Sequence, residues 1–202
     1  MNARRSLAAT RTTHDFAVAL LWRSTVLDAA NTSIFATLSW NRWRYCAQRF
    51  IPRFAAIANR WNEAMGLDIR YPGAHAKFLV RCHAAGQTKP TPLLLRYGPG
   101  DWNALHRDLY GDLVFPLQVV IGLDRPGVDY TGGEFLAVEQ RLRAQSRGTT
   151  SAIEQGQGLV FTTRDRPVPS RRGWSAAPMR HGVSVLRSGR RHALGLVFHD
   201  AK

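Results

Sequence analysis

The sequence predicts an α+β fold, mostly β, in which a helical support precedes a core built from strands. Within residues 50–86, apolar side chains recur every three or four positions, which is the spacing of an amphipathic helix. From Pro90 onward, short runs of branched and aromatic residues alternate with Gly, Pro and Asp, and no helical pattern separates them. Such a succession of short strands is typical of an antiparallel sandwich or barrel. A chain of 202 residues, 45% of them hydrophobic, is long enough to bury this core.

The predicted helices come first along the chain. The first helix presents one apolar stripe, which Gly66 terminates and which consists of Phe50, Phe54, Ile57, Trp61 and Met65. A second, shorter helix is predicted from about Ala74 to Ala85, and Gly86 ends it. We therefore assign residues 46–90 to the helical support. Residues 1–45 have no capping or turn pattern that assigns them.

The predicted strands occupy residues 91–202 and form one domain with the helices, residues 46–202. Turn residues separate the strands, which are Leu93–Tyr97, Phe115–Leu123, Glu134–Val138, Gly158–Thr162, Val183–Leu186 and Leu194–Phe198. The segment between Phe161 and His181 is too rich in Pro and Gly for regular structure, so we expect an irregular insert over the mouth of the barrel.

The charge balance points to a polyanionic partner. The chain has 28 Lys and Arg against 14 Asp and Glu, a net charge of +14. Basic side chains that meet phosphates release counterions, which favours binding to nucleic acid. A basic but inert surface is the alternative, and charge alone does not separate the two.

Several classes of protein are excluded or disfavoured by pattern. No window approaches the roughly 20 apolar residues of a membrane span, and the short apolar run Phe16–Trp22 lacks the features of a signal peptide. Cys46 and Cys82 have neither metal-motif nor disulfide spacing, and Cys82 lies on an apolar helical face. We therefore expect a cytoplasmic protein without a membrane partner.

A candidate metal site lies within the β region. Alternate residues of a strand point to the same face, so His106 and Asp108 can bind one metal ion together. His181, which we expect to open a late strand, completes a set of two histidines and one carboxylate, the facial triad of non-haem Fe(II) oxygenases. Ten residues further, Arg191 enters an apolar strand, and its guanidinium suits a carboxylate ligand.

From about Ile57 to the C-terminus, the sequence resembles the 2-oxoglutarate/Fe(II)-dependent dioxygenases. Within that superfamily it is most similar to a bacterial family predicted to act as AlkB-like oxidative nucleic-acid demethylases. Besides the four residues above, the resemblance rests on Gly132-Gly133-Glu134 and on the stretches RCHAAGQTKPTPLLLRYGPGDWNALHRDLYG, FPLQVVIGL, TGGEF, GQGLVF and RHGVSVLRSGRRHALGLVFHDA. Residues 1–45 depart from the family's pattern, which leaves open whether that segment folds or impairs activity.

The resemblance implies a double-stranded β-helix, or jelly roll, with Fe(II) bound by His106, Asp108 and His181. It also implies 2-oxoglutarate anchored by Arg191, O2 as the second substrate and ascorbate as reductant. Hydroxylation of an N-methyl group of alkylated DNA or RNA, a DNA-repair demethylation, then releases formaldehyde, succinate and CO2.

Other residues of the cosubstrate pocket are less firmly assigned. Arg191 is favoured over Arg190 because it shares a strand face with the small residues Ala193 and Gly195. Tyr97 either reaches the cosubstrate or is a strand tyrosine with its hydroxyl at the rim, and Gln118 is either an inward contact or an edge residue. His199 is either a group that supports the site or a surface residue.

Candidate substrate residues lie in the Pro/Gly-rich insert. Arg171 and Arg172 are expected to meet phosphates while Trp174 stacks an extruded base. The alternative is an ordered lid whose arginines pair with neighbouring acids. Two other functions also remain open: a protein (prolyl-hydroxylase-like) or small-molecule hydroxylase with the same iron site, and a catalytically impaired nucleic-acid-binding module. The sequence leaves the lesion and the oligomeric state undetermined.

Overall fold

A computed structural model describes residues 40–140 and 144–202. In these ranges two helices, α1 (Trp40–Ala64) and α2 (His75–Ala84), precede eleven strands. The strands are β1 (Leu93–Tyr97), β2 (Asn103–His106), β3 (Leu117–Gly122), β4 (Tyr130–Gly132), β5 (Phe135–Glu139), β6 (Arg147–Ser151), β7 (Gly158–Thr162), β8 (Asp165–Ser170), β9 (Gly173–Val183), β10 (Leu186–Gly189) and β11 (Arg191–Leu196).

The strands form two main antiparallel sheets. One has the order β1-β11-β3-β7 and the other β2-β9-β5-β6, with β8 added beside β9 and a separate β4-β10 pair. Of the eight barrel strands in chain order, the first sheet takes the first, eighth, third and sixth, and the second sheet takes the other four. This interleaving is the topology of a jelly roll. The predicted fold class is confirmed.

The helices cover the outer face of the β1-β11-β3-β7 sheet. Phe54 of α1, Phe115 and Phe198 are at most 1% exposed and pack edge to face. Because side chains alternate along a strand, Val119 of β3 faces this helical layer while Val120 lines the interior of the barrel. The sheet therefore separates a structural core from the cavity where the candidate site lies.

Helix α1 begins earlier than the sequence indicates. The apolar periodicity starts at Phe50, whereas the helix begins at Trp40 and continues through Pro52. A proline normally lies in the first turn of a helix, and Pro52 instead lies inside α1. Residues 1–39 of the unassigned segment lie outside the described residues. Neither described helix has the length and apolar character that a membrane crossing requires.

The predicted irregular insert is wrong, because residues 165–183 form a hairpin of β8 and β9. Pro167 and Pro169 lie on β8 and pair with Ala176 and Trp174 of β9. The other edge of β8 is unpaired within the described residues. Alternate residues of an edge strand direct their backbone nitrogens away from the ladder, where a proline loses no hydrogen bond. One predicted strand, Val183–Leu186, is also wrong, since β9 ends at Val183 and β10 begins at Leu186.

The two cysteines are free thiols, as their spacing indicates. Cys82 is fully buried against the helical core, and Cys46 is half-buried. Burial raises the pKa of both thiols, which keeps them protonated at neutral pH.

Candidate metal centre

The pairing of β2 with β9 brings two histidines together. His106 and His181 are direct partners in the antiparallel register, with ring centroids 4.3 Å apart. Asp108 completes the set: its Oδ1 lies 3.4 Å from His106 Nε2 and its Oδ2 lies 3.1 Å from His181 Nε2. The three ligand atoms lie within 4.8 Å of one another. The structure therefore gathers all three predicted ligands at one point.

Two local expectations about these ligands are wrong. Strand β2 ends at His106, so Asp108 belongs to the loop that follows and not to the strand. His181 does not open a strand but lies near the C-terminal end of the 11-residue β9, because the preceding Pro-containing segment is regular after all. The two histidines are therefore aligned by the register of β9 against β2, and not by the alternation of side chains along one strand.

The protonation states of the metal-free site suit a divalent cation. Burial raises the pKa of the Asp108 carboxyl, but hydrogen bonds with His106, His181 and the Tyr110 hydroxyl outweigh it and hold that pKa far below its usual range. His106 Nδ1 lies 2.7 Å from the carbonyl oxygen of Ala104. A carbonyl only accepts, so Nδ1 carries a proton. Nε2 faces Asp108, whose hydrogen bond raises the pKa of His106, and Nε2 becomes a ligand atom when a metal ion displaces its proton.

The pocket walls are aromatic on one side and open on the other. The His181 ring lies beside Phe135 and Phe161, at centroid distances of 6.1 and 4.7 Å, and the two phenyl rings are 4.7 Å from each other. The His106 side chain is 34% exposed, whereas that of His181 is 10% exposed. The site is therefore more open to solvent on the His106 side than on the aromatic side around His181.

Four buried side-chain atoms of the described residues have no hydrogen-bond partner. They are Tyr97 Oη, Gln118 Nε2, His181 Nδ1 and Arg191 Nη1. Buried polar groups are almost always paired, so a cluster of exceptions is typical of a site completed by a ligand. All four atoms belong to residues that the sequence analysis names as metal ligands or as candidates for binding 2-oxoglutarate.

The register places these atoms on the interior face of the barrel. Tyr97 pairs with Arg191, and the guanidinium lies 5.1 Å from the centre of the Tyr97 ring. Gln118 pairs with Phe161, whose ring contacts His181. Directly paired residues of an antiparallel sheet share a face. Arg191 is 2% exposed, whereas Arg190 is exposed, so only Arg191 is placed to meet a ligand inside the barrel.

The sequence also matches a known family. A family model of oxygenases described as catalysing oxidative methylation of damaged DNA matches residues 40–201. The chain belongs to this oxygenase family.

The oxygenase is also similar to two mycobacterial proteins. Two uncharacterized proteins of Mycobacterium tuberculosis, from strains CDC 1551 / Oshkosh and ATCC 25618 / H37Rv, are each 60% identical to it over 154 residues. The match covers 76% of the oxygenase and 66% of each relative, so the chain spans just under two thirds of their length.

Two solved structures show a distant likeness. An oxidoreductase of the 2OG-Fe(II) oxygenase family from Burkholderia pseudomallei matches 66% of the oxygenase and 60% of its own chain, with 18% identity and a TM-score of 0.38. A Pseudomonas putida prolyl-4-hydroxylase matches 77% and 83% of the two chains, with 17% identity and a TM-score of 0.37.

Two residues around Arg191 were not predicted as site residues. Tyr130 is buried beside Tyr97, and although burial raises the pKa of its hydroxyl, the neighbouring Arg191 opposes that rise. Gly133 is buried, and a Cβ there would lie 3.0 Å from Arg191 Cδ. The Gly132-Gly133 pair is visible in the sequence, but its contact with a strand nearly sixty residues away is not. Both residues help to fix the Arg191 side chain.

The predicted substrate residues are not near the metal ligands. Arg171 and Arg172 form the exposed turn between β8 and β9, and Trp174 is 52% exposed. Trp174 lies seven residues from His181, about 23 Å along an extended strand, and alternation places it on the opposite face. Exposed apolar side chains that flank the ligands in sequence were missed, namely Trp102, Leu105 and Leu109.

Proposed function

We propose that this oxygenase is an Fe(II)- and 2-oxoglutarate-dependent dioxygenase that hydroxylates N-methyl groups of alkylated nucleic acid. The observation that carries the proposal is the coincidence, in one barrel, of a two-histidine, one-carboxylate cluster with four unpartnered buried polar atoms. Two imidazoles and one carboxylate are the donor set of non-haem Fe(II) oxygenases. The family description, which concerns damaged DNA, supports the choice of substrate.

The residues present fit both groups. His106, Asp108 and His181 would hold Fe(II), and Arg191 with Tyr97 would hold the far carboxylate of 2-oxoglutarate, since a guanidinium fork matches a carboxylate. Gln118 offers an amide N–H inside the same cavity. When bound, the iron and its cosubstrate supply the oxidising power, as 2-oxoglutarate and O2 yield succinate, CO2 and one oxygen atom for a C–H bond of the substrate.

The chain's own contribution is binding, orientation and exclusion of water. Phe135 and Phe161 close the inner side of the pocket around His181, and the methyl group would approach from the exposed His106 side. A hydroxylated N-methyl group breaks down to the free N–H and formaldehyde. The expected net result is therefore removal of the methyl group, as in repair of alkylated bases. We place this reaction in the cytoplasm, whose reducing conditions suit the free Cys82 thiol.

The β8-β9 hairpin is proposed to contact the nucleic-acid backbone. The net charge of +14 and the exposed Arg171 and Arg172 favour a phosphate partner. Because Trp174 faces away from His181, it would stack a flanking base and not the base that carries the methyl group. This assignment refines the expectation from sequence, in which the same tryptophan held the extruded base.

Salt dependence tests the hairpin. For binding to a single-stranded oligonucleotide, the double variant Arg171→Ala/Arg172→Ala should show a weaker salt dependence. The negative slope of the log association constant against log salt should become shallower by about 0.7 for each lost phosphate contact. The matched control is Arg53→Ala/Arg60→Ala, which removes two exposed arginines from α1. Equal slopes for the two double variants would contradict the proposed interface.

Product analysis tests the reaction itself. With Fe(II), 2-oxoglutarate and ascorbate, a methylated single-stranded oligonucleotide should stimulate succinate formation, with formaldehyde in matching amount. The Asp108→Ala protein should form neither. Stimulated succinate without formaldehyde would overturn demethylation and favour hydroxylation at carbon, as in a protein or small-molecule hydroxylase. A folded, iron-loaded protein that forms no succinate would overturn the enzyme proposal and favour a nucleic-acid-binding module.

A further inference from the structure

Asp108 is the one candidate ligand that no strand positions. It follows the end of β2, beyond the register that pairs β2 with β9. Even so, its side chain is buried, and it meets both histidines. A carboxylate on a loop loses rotational freedom only where other groups hold it, so the contacts around Asp108 decide whether the site is formed before a metal arrives.

One contact fixes the backbone of Asp108. Nε2 of His199 lies 3.1 Å from the Asp108 carbonyl oxygen, and the backbone N–H of Phe115 donates to His199 Nδ1 at 3.3 Å. Because Nδ1 accepts that hydrogen bond, Nε2 carries the ring proton and donates to the carbonyl. His199 is fully buried, and the two hydrogen bonds on opposite sides of its ring keep the ring from turning.

A second contact fixes the carboxylate. The Tyr110 hydroxyl donates to Asp108 Oδ1 at 2.6 Å, which leaves Oδ2 beside His181. The C-terminus holds Tyr110 in turn, since the backbone N–H of Lys202 donates to the Tyr110 carbonyl at 3.0 Å. A short hydrogen bond to an ionised carboxylate is among the stronger contacts in proteins.

We infer that Tyr110 and His199 are positioning residues that preorganise Asp108 for metal binding. His199 holds the main chain of Asp108, and Tyr110 holds the side chain of Asp108. The inference rests on the metal centre proposed above. The two residues act on different parts of Asp108, since His199 sets where its Cα lies and Tyr110 sets which oxygen faces the histidines. Outer partners of metal ligands typically change metal affinity by about 10- to 100-fold when they are removed.

Cobalt(II) provides a direct probe. Its affinity is measured by competition with a chelator, and its visible spectrum reports the geometry of the ligands. Tyr110→Phe removes one oxygen atom from a partly exposed side chain and should weaken cobalt binding by about 10-fold or more, with an altered spectrum. His199→Leu should weaken it similarly, and His199→Gln, which keeps a donor at the Nε2 position, should recover most of the affinity.

His75 offers the matched control. It lies in α2 and is buried like His199. Its Nε2 lies 3.0 Å from the backbone carbonyl oxygen of Phe198, whose side chain packs against the helices. His75→Leu should lower stability without changing cobalt affinity or spectrum. If Tyr110→Phe and His199→Leu bind cobalt as the wild type does, the inference fails and the metal centre stands. If the wild type binds no cobalt, the metal centre fails and the inference fails with it.

Discussion

Gly133 provides a sharp test of the Arg191 pocket. Its backbone φ is +66°, a conformation that side chains with a Cβ rarely adopt. A Cβ at this position would lie 2.8 Å from Leu186 Cδ1 and 3.0 Å from Arg191 Cδ. Gly133→Ala therefore combines backbone strain with a push on the side chain that we expect to anchor 2-oxoglutarate.

The two effects can be separated with Gly66, at the end of α1. Gly66 has nearly the same φ, +68°, but a Cβ there would meet nothing within 4 Å. Left-handed backbone costs about 1 to 2 kcal/mol in each variant. Overpacking adds about 1 to 3 kcal/mol in Gly133→Ala alone. We therefore expect Gly133→Ala to be less stable than Gly66→Ala by about 1 to 3 kcal/mol.

Urea unfolding measures the difference in stability, and 2-oxoglutarate binding measures the effect on the pocket. The cosubstrate should bind more weakly to the Mn(II)-loaded Gly133→Ala protein and normally to Gly66→Ala. If both variants lose the same stability and keep wild-type affinity for 2-oxoglutarate, Arg191 does not depend on the space that Gly133 leaves, and the reasoning is refuted.

Three further predictions follow from burial and hydrogen bonding. Arg191→Lys keeps the charge but loses the fork, so 2-oxoglutarate affinity measured by calorimetry should fall about 10- to 100-fold while cobalt affinity is unchanged; a parallel loss of cobalt would contradict the separation of the two sites. Phe54→Ala removes a side chain that is 1% exposed and should cost about 3 to 5 kcal/mol in urea unfolding; a cost below about 1 kcal/mol would argue against the packed helical layer. Because burial raises the pKa of the Cys82 thiol, alkylation at neutral pH should be slow in the folded protein and fast in denaturant; equal rates would mean that α2 opens readily.

The sequence predicts those parts of the fold that local patterns encode. The apolar stripe of α1 after Phe50 and the strands Leu93–Tyr97 and Gly158–Thr162 are visible because their periodicity matches their structure. The β8-β9 hairpin is not, since Pro167 and Pro169 are excluded from central strands and only the sheet topology places them at an edge. Local composition does not reveal which strand is at the edge.

The same distinction holds for the site. His106, Asp108 and His181 stand out by residue type and spacing, and Arg191 by its position among small residues. Tyr110 does not, and for His199 the sequence leaves a supporting role and a surface role open, because the contacts of both residues with Asp108 depend on how the C-terminus packs against the loop. Composition alone makes Trp174 a platform for the extruded base, whereas strand alternation and distance separate Trp174 from the metal ligands.

The most direct test of the account is an anaerobic titration of the Fe(II)-loaded protein with 2-oxoglutarate, followed by visible absorption. A 2-oxo acid that chelates Fe(II) produces a charge-transfer band, so the signal requires metal and cosubstrate in one pocket. We expect a saturable band in the wild type, none in Asp108→Ala, and a band that needs more 2-oxoglutarate in Arg191→Lys. A folded, iron-loaded wild type without the band, or an Asp108→Ala protein that retains it, would contradict the account.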